Sequence, residues 1–214
     1  MDVRSITTQQ RIVEGFINLL EIKEFAKCSV NDIVEAAEVS KRTFYTYFND
    51  KHDLINTIES RLIKGLKESL SLDREKLTKL NHIPSADEIN ELADTAFNNT
   101  IDYCNQNKKE FSQLLSSNGD IYFLRKIINL GNREFDLRFP YLFNNNEEVK
   151  DNSLTLIFVR NIYVQGIINI LVLWGRSSNL VGISDIKRLM GLSQTKSPVE
   201  LMKLYKIEQG SLKI

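Results

Sequence analysis

The apolar residues of this chain recur at three- and four-residue spacing, and no stretch alternates at period two for long enough to form a strand. From residue 8 to residue 24 they line one side of a helix at Ile12, Val13, Phe16, Ile17, Leu19 and Leu20. The 214 residues include only 9 glycines and 3 prolines, which favours long helices over the many turns of a sheet. The sequence therefore predicts an all-α fold.

The composition also indicates the cellular compartment. Cys28 and Cys104 lie far apart, which argues against a disulfide framework and fits a reducing cytoplasm. Residues 154–175 are apolar enough to cross a bilayer, but Arg160 inside that stretch would cost about 2.5 kcal/mol or more near the membrane centre. We expect a cytoplasmic protein with no membrane partner, whose apolar helix is buried on most sides in a core and a subunit interface.

Two short helices are predicted after the first one, and each begins at a serine suited to N-capping. Ser29 has Asp32 three residues later, in the position of a capping-box acid. Ser40 opens a segment in which Phe44 and Phe48 share one face. Two short helices joined by a tight turn are what a helix-turn-helix requires, since the second helix must enter a major groove about 12 Å wide.

The second of these helices carries side chains that suit DNA. Its N-terminal end is where recognition helices approach base edges; arginine can donate two hydrogen bonds to guanine, and a threonine methyl can contact thymine. Hydroxyl groups and a lysine at the start of the next helix can contact phosphates. The expected contacts are Lys41, Arg42 and Thr43 at the N-terminal end, then Tyr45, Thr46, Tyr47 and Lys51.

Residues 29–54 resemble the DNA-binding domain of TetR-type (TetR/AcrR) transcriptional regulators. That family has a Ser/Thr-hydrophobic-x-x-Ile helix, a Gly-Val-Ser turn, a Thr-hydrophobic-Tyr-x-(Tyr/His)-Phe recognition helix and then Lys-x-x-Leu. This chain reads SVNDI, EVS, TFYTYF and KHDL at those places. The resemblance implies DNA contact by Ser29, Lys41, Arg42, Thr43, Tyr45, Thr46, Tyr47 and Lys51.

The resemblance also implies the domain organisation. An N-terminal three-helix domain over residues 1–50 would read DNA. A long linking helix at about 51–80 would open a larger helical domain, residues 51–214, for effector binding and dimerisation.

Glu38 departs from the family pattern, which has glycine at that place in the turn. The turn favours a positive φ, which costs a residue other than glycine about 1 kcal/mol. Residues 1–53 also hold seven Lys or Arg against nine Asp or Glu. DNA binding therefore needs a local arrangement of charge, since the domain as a whole is not basic.

The second domain is expected to bind a small-molecule effector. Apolar pockets with a few polar groups are typical of such sites. Core packing is the competing interpretation of each aromatic residue, and an ion pair is the competing interpretation of each arginine. The candidate pocket residues are Phe97, Tyr103, Phe111, Tyr122, Phe123, Arg125 and Arg160.

The helix predicted at residues 152–176 is apolar on nearly all sides, which suits a helix–helix dimer interface. A dimer would present two reading heads to a palindromic operator. Its Tyr163-x-x-Gly166 spacing and Trp174 resemble one C-terminal subtype of the family, found in regulators near dihydroxyacetone kinase genes. The candidate interface residues are Tyr163, Ile167, Ile170 and Trp174.

No catalytic motif is present, and the only histidines, His52 and His82, lie in different segments. We therefore expect no enzyme, no metal site and no cofactor. The predicted function is a homodimeric, sequence-specific regulator of the TetR type, a repressor released or modulated by an effector. The alternative is a helical adaptor of the same fold that acts through protein partners without binding an operator; a steep salt dependence of DNA binding would distinguish the two.

Overall fold

The computed structural model describes residues 3–79, 82–85, 87–89, 92, 97–142, 154–177 and 181–211. Within those ranges the regular structure is helical, as predicted. The α-helices are α1 (Val3–Leu19), α2 (Val30–Ala36), α3 (Lys41–Tyr47), α4 (Lys51–Leu77), α5 (Asn98–Gln106), α6 (Lys108–Leu114), α7 (Ile121–Leu142), α8 (Leu154–Arg176), α9 (Ile183–Thr195) and α10 (Pro198–Ser211). A short 3₁₀ turn, Phe25–Lys27, lies between α1 and α2.

The contacts divide the chain into two compact units. The first unit comprises Met1–Leu66 and Gln106–Ile127, and the second comprises Lys67–Asn105 and Ile128–Ile214. The first unit is thus larger than the predicted domain over residues 1–50, because the start of α4, all of α6 and the start of α7 pack with the N-terminal helices. A functional boundary at residue 50 stays a prediction.

The core of the first unit is built from the apolar faces that the spacing predicted. Its fully buried side chains include Ile12, Phe16 and Leu20 near α1, Ile33 in α2, Phe44 in α3, and Leu54 and Leu62 in α4. The stacked rings of Phe111 and Phe123, 6.1 Å apart between centroids, belong to the same unit. Burial of this order, about 1.5–3 kcal/mol for each large side chain, is what holds three short helices together.

The second unit contains a separate core. Phe97, Ile101, Trp174, Ile186 and Met190 form one buried cluster. Among its buried polar groups, Glu134 accepts from Arg74 and, at 2.8 Å, from Nε of Arg138. One carboxylate thus links two guanidinium groups within the unit, as a buried charge requires.

Helix α8 is less buried than its composition suggested. Only Val164, Ile168 and Trp174 of its described side chains are buried. The exposed ones include Leu154, Phe158, Ile162 and Leu173, with 60–74% of each accessible. One side of this helix is therefore exposed in the single chain, and the predicted subunit interface that would cover it stays a prediction. The helix is also long and apolar enough to cross a membrane by length and composition.

The four residues predicted for the dimer interface have partners within the second unit. Trp174 is 4% exposed, and its indole N–H donates to the carbonyl of Val181 at 3.1 Å. Tyr163 donates to Oε1 of Gln194 at 2.9 Å. Ile167 and Ile170 pack against the same core cluster. These residues therefore lie on the side of α8 that packs with α9, and their contact with a second copy stays a prediction.

Candidate nucleic-acid interface

The helix-turn-helix is formed by α2, the turn after it and α3. Oγ of Ser29 accepts from the Asp32 amide at 3.3 Å, and the Asp32 carboxylate accepts from the Ser29 amide at 2.7 Å. Oγ of Ser40 accepts from the Thr43 amide at 3.0 Å. Both serines are N-caps, as predicted, and the first is a complete capping box.

Glu38 adopts the positive φ that its place in the turn predicted, with a value of 51°. Arg11 of α1 lies over this turn: its guanidinium donates to the carbonyls of Ala37 at 3.3 Å and Glu38 at 3.2 Å. Gly15, one helical turn further along α1, allows the close approach, because a Cβ there would lie 2.6 Å from Cα of Ala37. The turn is thereby held against α1 although it carries a non-glycine residue in the left-handed region.

Helix α3 presents the predicted cationic end to solvent. Phe44 and Phe48 are buried, which anchors the opposite face of the helix. Lys41 and Arg42 are exposed, and none of the residues that the structure describes forms a hydrogen bond or ion pair with either side chain. Tyr45 is 56% exposed, with its ring edge-on to Phe44 at 5.5 Å. The free cations and this phenol are the groups best placed to meet a groove.

The other predicted contacts on α3 already have partners within the helix. Oγ1 of Thr43 lies 2.8 Å from Oγ of Ser40, and Oγ1 of Thr46 donates to the carbonyl of Arg42 at 2.9 Å. Tyr47 is half-buried. A hydroxyl that donates a hydrogen bond within the helix can still accept one from DNA. DNA contact by these residues therefore stays a prediction.

Lys51 has a role that its position in the sequence did not predict. Its ammonium donates to the carbonyls of Phe25, Ala26 and Cys28, at 3.1, 3.1 and 2.8 Å, and lies 5.0 Å from the centre of the Phe25 ring. An ammonium has three N–H donors, so these bonds use all of them. In this structure Lys51 secures the 3₁₀ turn, and its contact with DNA stays a prediction.

Four acidic residues of the N-terminal segment form ion pairs. Glu21 pairs with Lys109, Glu24 with Lys27, Asp32 with Lys23 and Glu38 with Arg11, at 2.7–3.7 Å. The Lys23 hydrogen bond, with those from Ser29, lowers the pKa of Asp32 to about 2. That carboxylate therefore stays ionised at neutral pH and keeps its partners.

The comparisons with known proteins agree with this geometry. Residues 12–58, which include α2, α3 and the turn between them, match the profile of the bacterial regulatory proteins of the tetR family. The match covers the helix-turn-helix and the start of α4, so this segment is similar to the DNA-binding segment of that family. Glu38 and its turn lie within the matched residues.

Similar proteins were found by sequence and by structure. It is 34% identical over 55 residues to the HTH-type dhaKLM operon transcriptional activator DhaS of Lactococcus lactis, a match that spans 26% of this chain and 29% of that one. A TetR transcriptional regulator from Streptococcus agalactiae is similar in fold, with a TM-score of 0.53 at 18% identity over 90% of this chain and 96% of the other. The fatty acid degradation regulator FadR from Bacillus halodurans gives 0.55 at 15% identity, over 89% and 96%.

The expected effector residues are divided between the two units. Four of them, Phe111, Tyr122, Phe123 and Arg125, belong to the first unit, and three, Phe97, Tyr103 and Arg160, belong to the second. In the first unit the two phenylalanines are core residues, whereas Tyr122 is exposed with Arg125 5.8 Å from its ring centre. In the second, Arg160 pairs with Asp136 at 3.2 Å. Core packing and ion pairing, the competing interpretations, describe most of the set.

One small cavity in the second unit does combine aromatic, cationic and amide groups. It is lined by Leu77, Ile89, Leu92, Phe97, Arg138, Leu142, Tyr163 and Gln194, and its volume is about 20 Å³. The Arg138 guanidinium is 4.6 Å from the centre of the Phe97 ring. Burial raises the pKa of the Tyr163 phenol, while the nearby Arg138 charge opposes that shift. Sequence reasoning found only Phe97 of this group, since the other polar members come from three different helices.

Proposed function

We propose that this chain is a sequence-specific DNA-binding regulator whose α3 enters the major groove. The observation that carries the proposal is the two-sided character of α3: Phe44 and Phe48 are buried, while Lys41 and Arg42 at its N-terminal end are exposed and have no acidic partner among the described residues. Cations in that position suit guanine edges and phosphates. The TetR-family match over residues 12–58 supports the same assignment.

The test is selection of fragments from the source genome by the purified chain, followed by titration of a recovered site at several salt concentrations. A recovered palindrome, bound with an affinity that falls steeply with salt, would support operator binding through phosphate contacts. A folded dimer that enriches no fragment would favour the adaptor alternative.

Arg42→Ala is expected to weaken binding to the recovered site by about 1–3 kcal/mol and to relax specificity at one base pair, because an arginine at this position can donate twice to guanine. The measurement is the Kd for the site and for its single-base variants. Arg133→Ala is the matched control, since it removes the same charge from an exposed position of α7. Equal Kd values for Arg42→Ala and wild type on every sequence would contradict the assignment of the recognition face.

We further propose that a second copy of the chain covers the exposed stripe of α8. The stripe consists of Leu154, Phe158, Ile162 and Leu173, which recur at spacings that place them along one side of the helix. Exposed apolar side chains grouped along one side of a helix mark an interaction site in a soluble protein. A self-complementary patch also gives the two-fold symmetry that a palindromic operator needs.

Ile162→Glu is expected to convert the dimer to monomer, because it places a charge within a surface that would be buried between two apolar helices. The mass in solution, measured across a dilution series, checks this. Ile121→Glu is the control, since Ile121 is 83% exposed against 74% for Ile162 and lies on α7. If both variants stayed dimeric, the copies would have to pair through another surface.

Effector control belongs to the proposed function as well. The cavity around Arg138, Tyr163 and Gln194 has the chemistry of a small-molecule site, a guanidinium, a phenol and an amide within an apolar lining. At about 20 Å³ it has room for one water, so an effector would have to widen it. A ligand that prefers the widened form would shift the population away from the form that binds DNA.

We propose repression as the direction of control and the cytoplasm as its place. A dimer bound to an operator blocks a promoter without any further contact, whereas activation needs a surface for the transcription machinery. The Lactococcus relative is described as an activator, and the matched segment covers only 29% of its length. A reporter fused to the recovered operator would rise on deletion of a repressor and fall on deletion of an activator.

A further inference from the structure

The connection between α1 and α2 is held from outside the helix-turn-helix by Asn118. This residue lies in the turn between α6 and α7, well beyond the matched residues 12–58. Its side-chain amide donates to the carbonyl of Leu20 at 3.0 Å, and its own carbonyl accepts from the Phe25 amide at 2.7 Å. One residue thus bridges the end of α1 and the start of the 3₁₀ turn, where backbone groups otherwise lack partners.

The turn that carries Asn118 is itself closely defined. The Asn118 amide donates to Oγ of Ser116 at 3.1 Å, and that hydroxyl donates to the carbonyl of Gln113 at 2.7 Å. A Cβ at Gly119 would lie 2.1 Å from the Leu114 carbonyl oxygen, so the chain can close here only with glycine. Asn118 is therefore presented by a turn with little freedom, which makes it an effective brace.

What Asn118 holds is a junction of the DNA-reading unit. The Phe25 ring is buried and makes edge contacts with Phe16 at 6.0 Å and His52 at 5.3 Å. Lys51 binds the carbonyls of the same turn from the start of α4. The next capping residue along the chain, Ser29, starts α2. The position of Phe25 thus sets where α2 and α4 begin relative to α1.

We propose that Asn118 is a positioning residue for DNA recognition: its two hydrogen bonds hold the α1–α2 connection so that α2 and α3 keep the arrangement that fits the groove. This inference rests on the proposed DNA-binding function. Asn118 touches no base or phosphate in this role. It raises the fraction of molecules whose reading unit is ready to bind, and the apparent Kd rises in proportion as that fraction falls.

The side-chain amide is the group that can be tested. Asn118→Ala removes the bond to Leu20, and Asn118→Asp keeps the shape but turns an oxygen toward the Leu20 carbonyl, which is also an acceptor. Asn56→Ala, at an exposed position of α4 in the same unit, is the matched control. All four proteins are studied as full chains, at a temperature where thermal melts show each to be folded.

The first readout is the operator Kd across a salt series. We expect Asn118→Ala and Asn118→Asp to weaken binding about tenfold with an unchanged slope of log K against log salt, because no phosphate contact is lost. The second readout is amide hydrogen exchange, which we expect to quicken over residues 20–29 in both variants and not in Asn56→Ala.

The results that would contradict the inference differ from one another in these measurements. A Kd equal to that of wild type would overturn the inference whatever happens to the melting temperature, since a merely structural role changes stability and leaves the folded protein's affinity intact. A shallower salt slope would also overturn it, because Asn118 would then contact the DNA backbone itself. If wild type bound no fragment at all, the proposed function would fail with it, a result that the wild-type titration shows before any variant is made.

Discussion

Replacing Asp73 with alanine is expected to lower the free energy of unfolding by about 3–4 kcal/mol. The carboxylate is fully buried in the second unit and accepts four hydrogen bonds. Two come from the amide and side chain of Asn99, at 3.0 and 2.8 Å, and two from the amide and hydroxyl of Thr100, at 2.9 and 2.7 Å. Asp73 thereby serves as the acceptor for the first turn of α5, and its loss leaves buried donors without partners.

Denaturant titration followed by circular dichroism would measure this loss. Asp136→Ala is the control, because that carboxylate is 58% exposed and its pairing with Arg160 is worth about 1 kcal/mol or less. Asp73→Asn should fall between the two, since an amide keeps one acceptor and sets an N–H₂ group against donors. A wild-type midpoint for Asp73→Ala would mean that water replaces the carboxylate at no cost.

Gly15→Ala is expected to destabilise the chain by about 2–3 kcal/mol even though alanine is the better helix former. The added Cβ would lie 2.6 Å from Cα, 2.7 Å from N and 2.8 Å from Cβ of Ala37, so it meets backbone and not a side chain that can rotate away. Relief requires α1 to move from the turn that joins α2 and α3. We therefore expect operator affinity to fall together with stability.

Gly166→Ala is expected to change the stability in the opposite direction. None of the residues that the structure describes lies within 4 Å of a Cβ at this position of α8, so the substitution should stabilise the chain by about 0.5–1 kcal/mol through helix propensity. Both variants can be compared by thermal melting at one protein concentration, which keeps any dimer contribution equal. Equal effects of the two alanines would show that α1 and the turn separate more easily than their spacing implies.

The features that short-range chemistry determines were predictable from the sequence. Ser29 and Ser40 were identified as caps because a serine before an apolar segment can accept from an amide two or three residues on. The positive φ of Glu38 followed from its place in the turn. In each case the partners lie within a few residues, so the sequence itself contains both sides of the interaction.

The features that depend on distant partners were not predictable in this way. Helix α8 is apolar all round, so its composition could not indicate that Trp174 faces the core and Ile162 faces outward. Helix α7 likewise continues past Pro140 to Leu142, although proline usually ends a helix. Which side of an apolar helix faces solvent depends on which elements pack against its other side.

The partners of Lys51 and Asn118 were likewise not predictable from the sequence. Lysine after a recognition helix suits a phosphate, but three carbonyls of the 3₁₀ turn lie nearer. Asn118 is 98 positions from Leu20 along the chain, and an asparagine in a polar turn carries no signal of its partner. A serine, an asparagine and a glycine in succession at a turn were the only hint that this turn is closely built.

The left-handed conformation of Glu38 has a consequence for how this protein can evolve. Either glutamate codon becomes a glycine codon by one nucleotide change, and glycine would relieve about 1 kcal/mol of backbone strain in the turn. The Arg11 guanidinium would keep its two carbonyl partners after that change, because both belong to the backbone. A single mutation could thus raise the stability of the fold. That gain could compensate for a later, destabilising substitution in the recognition helix.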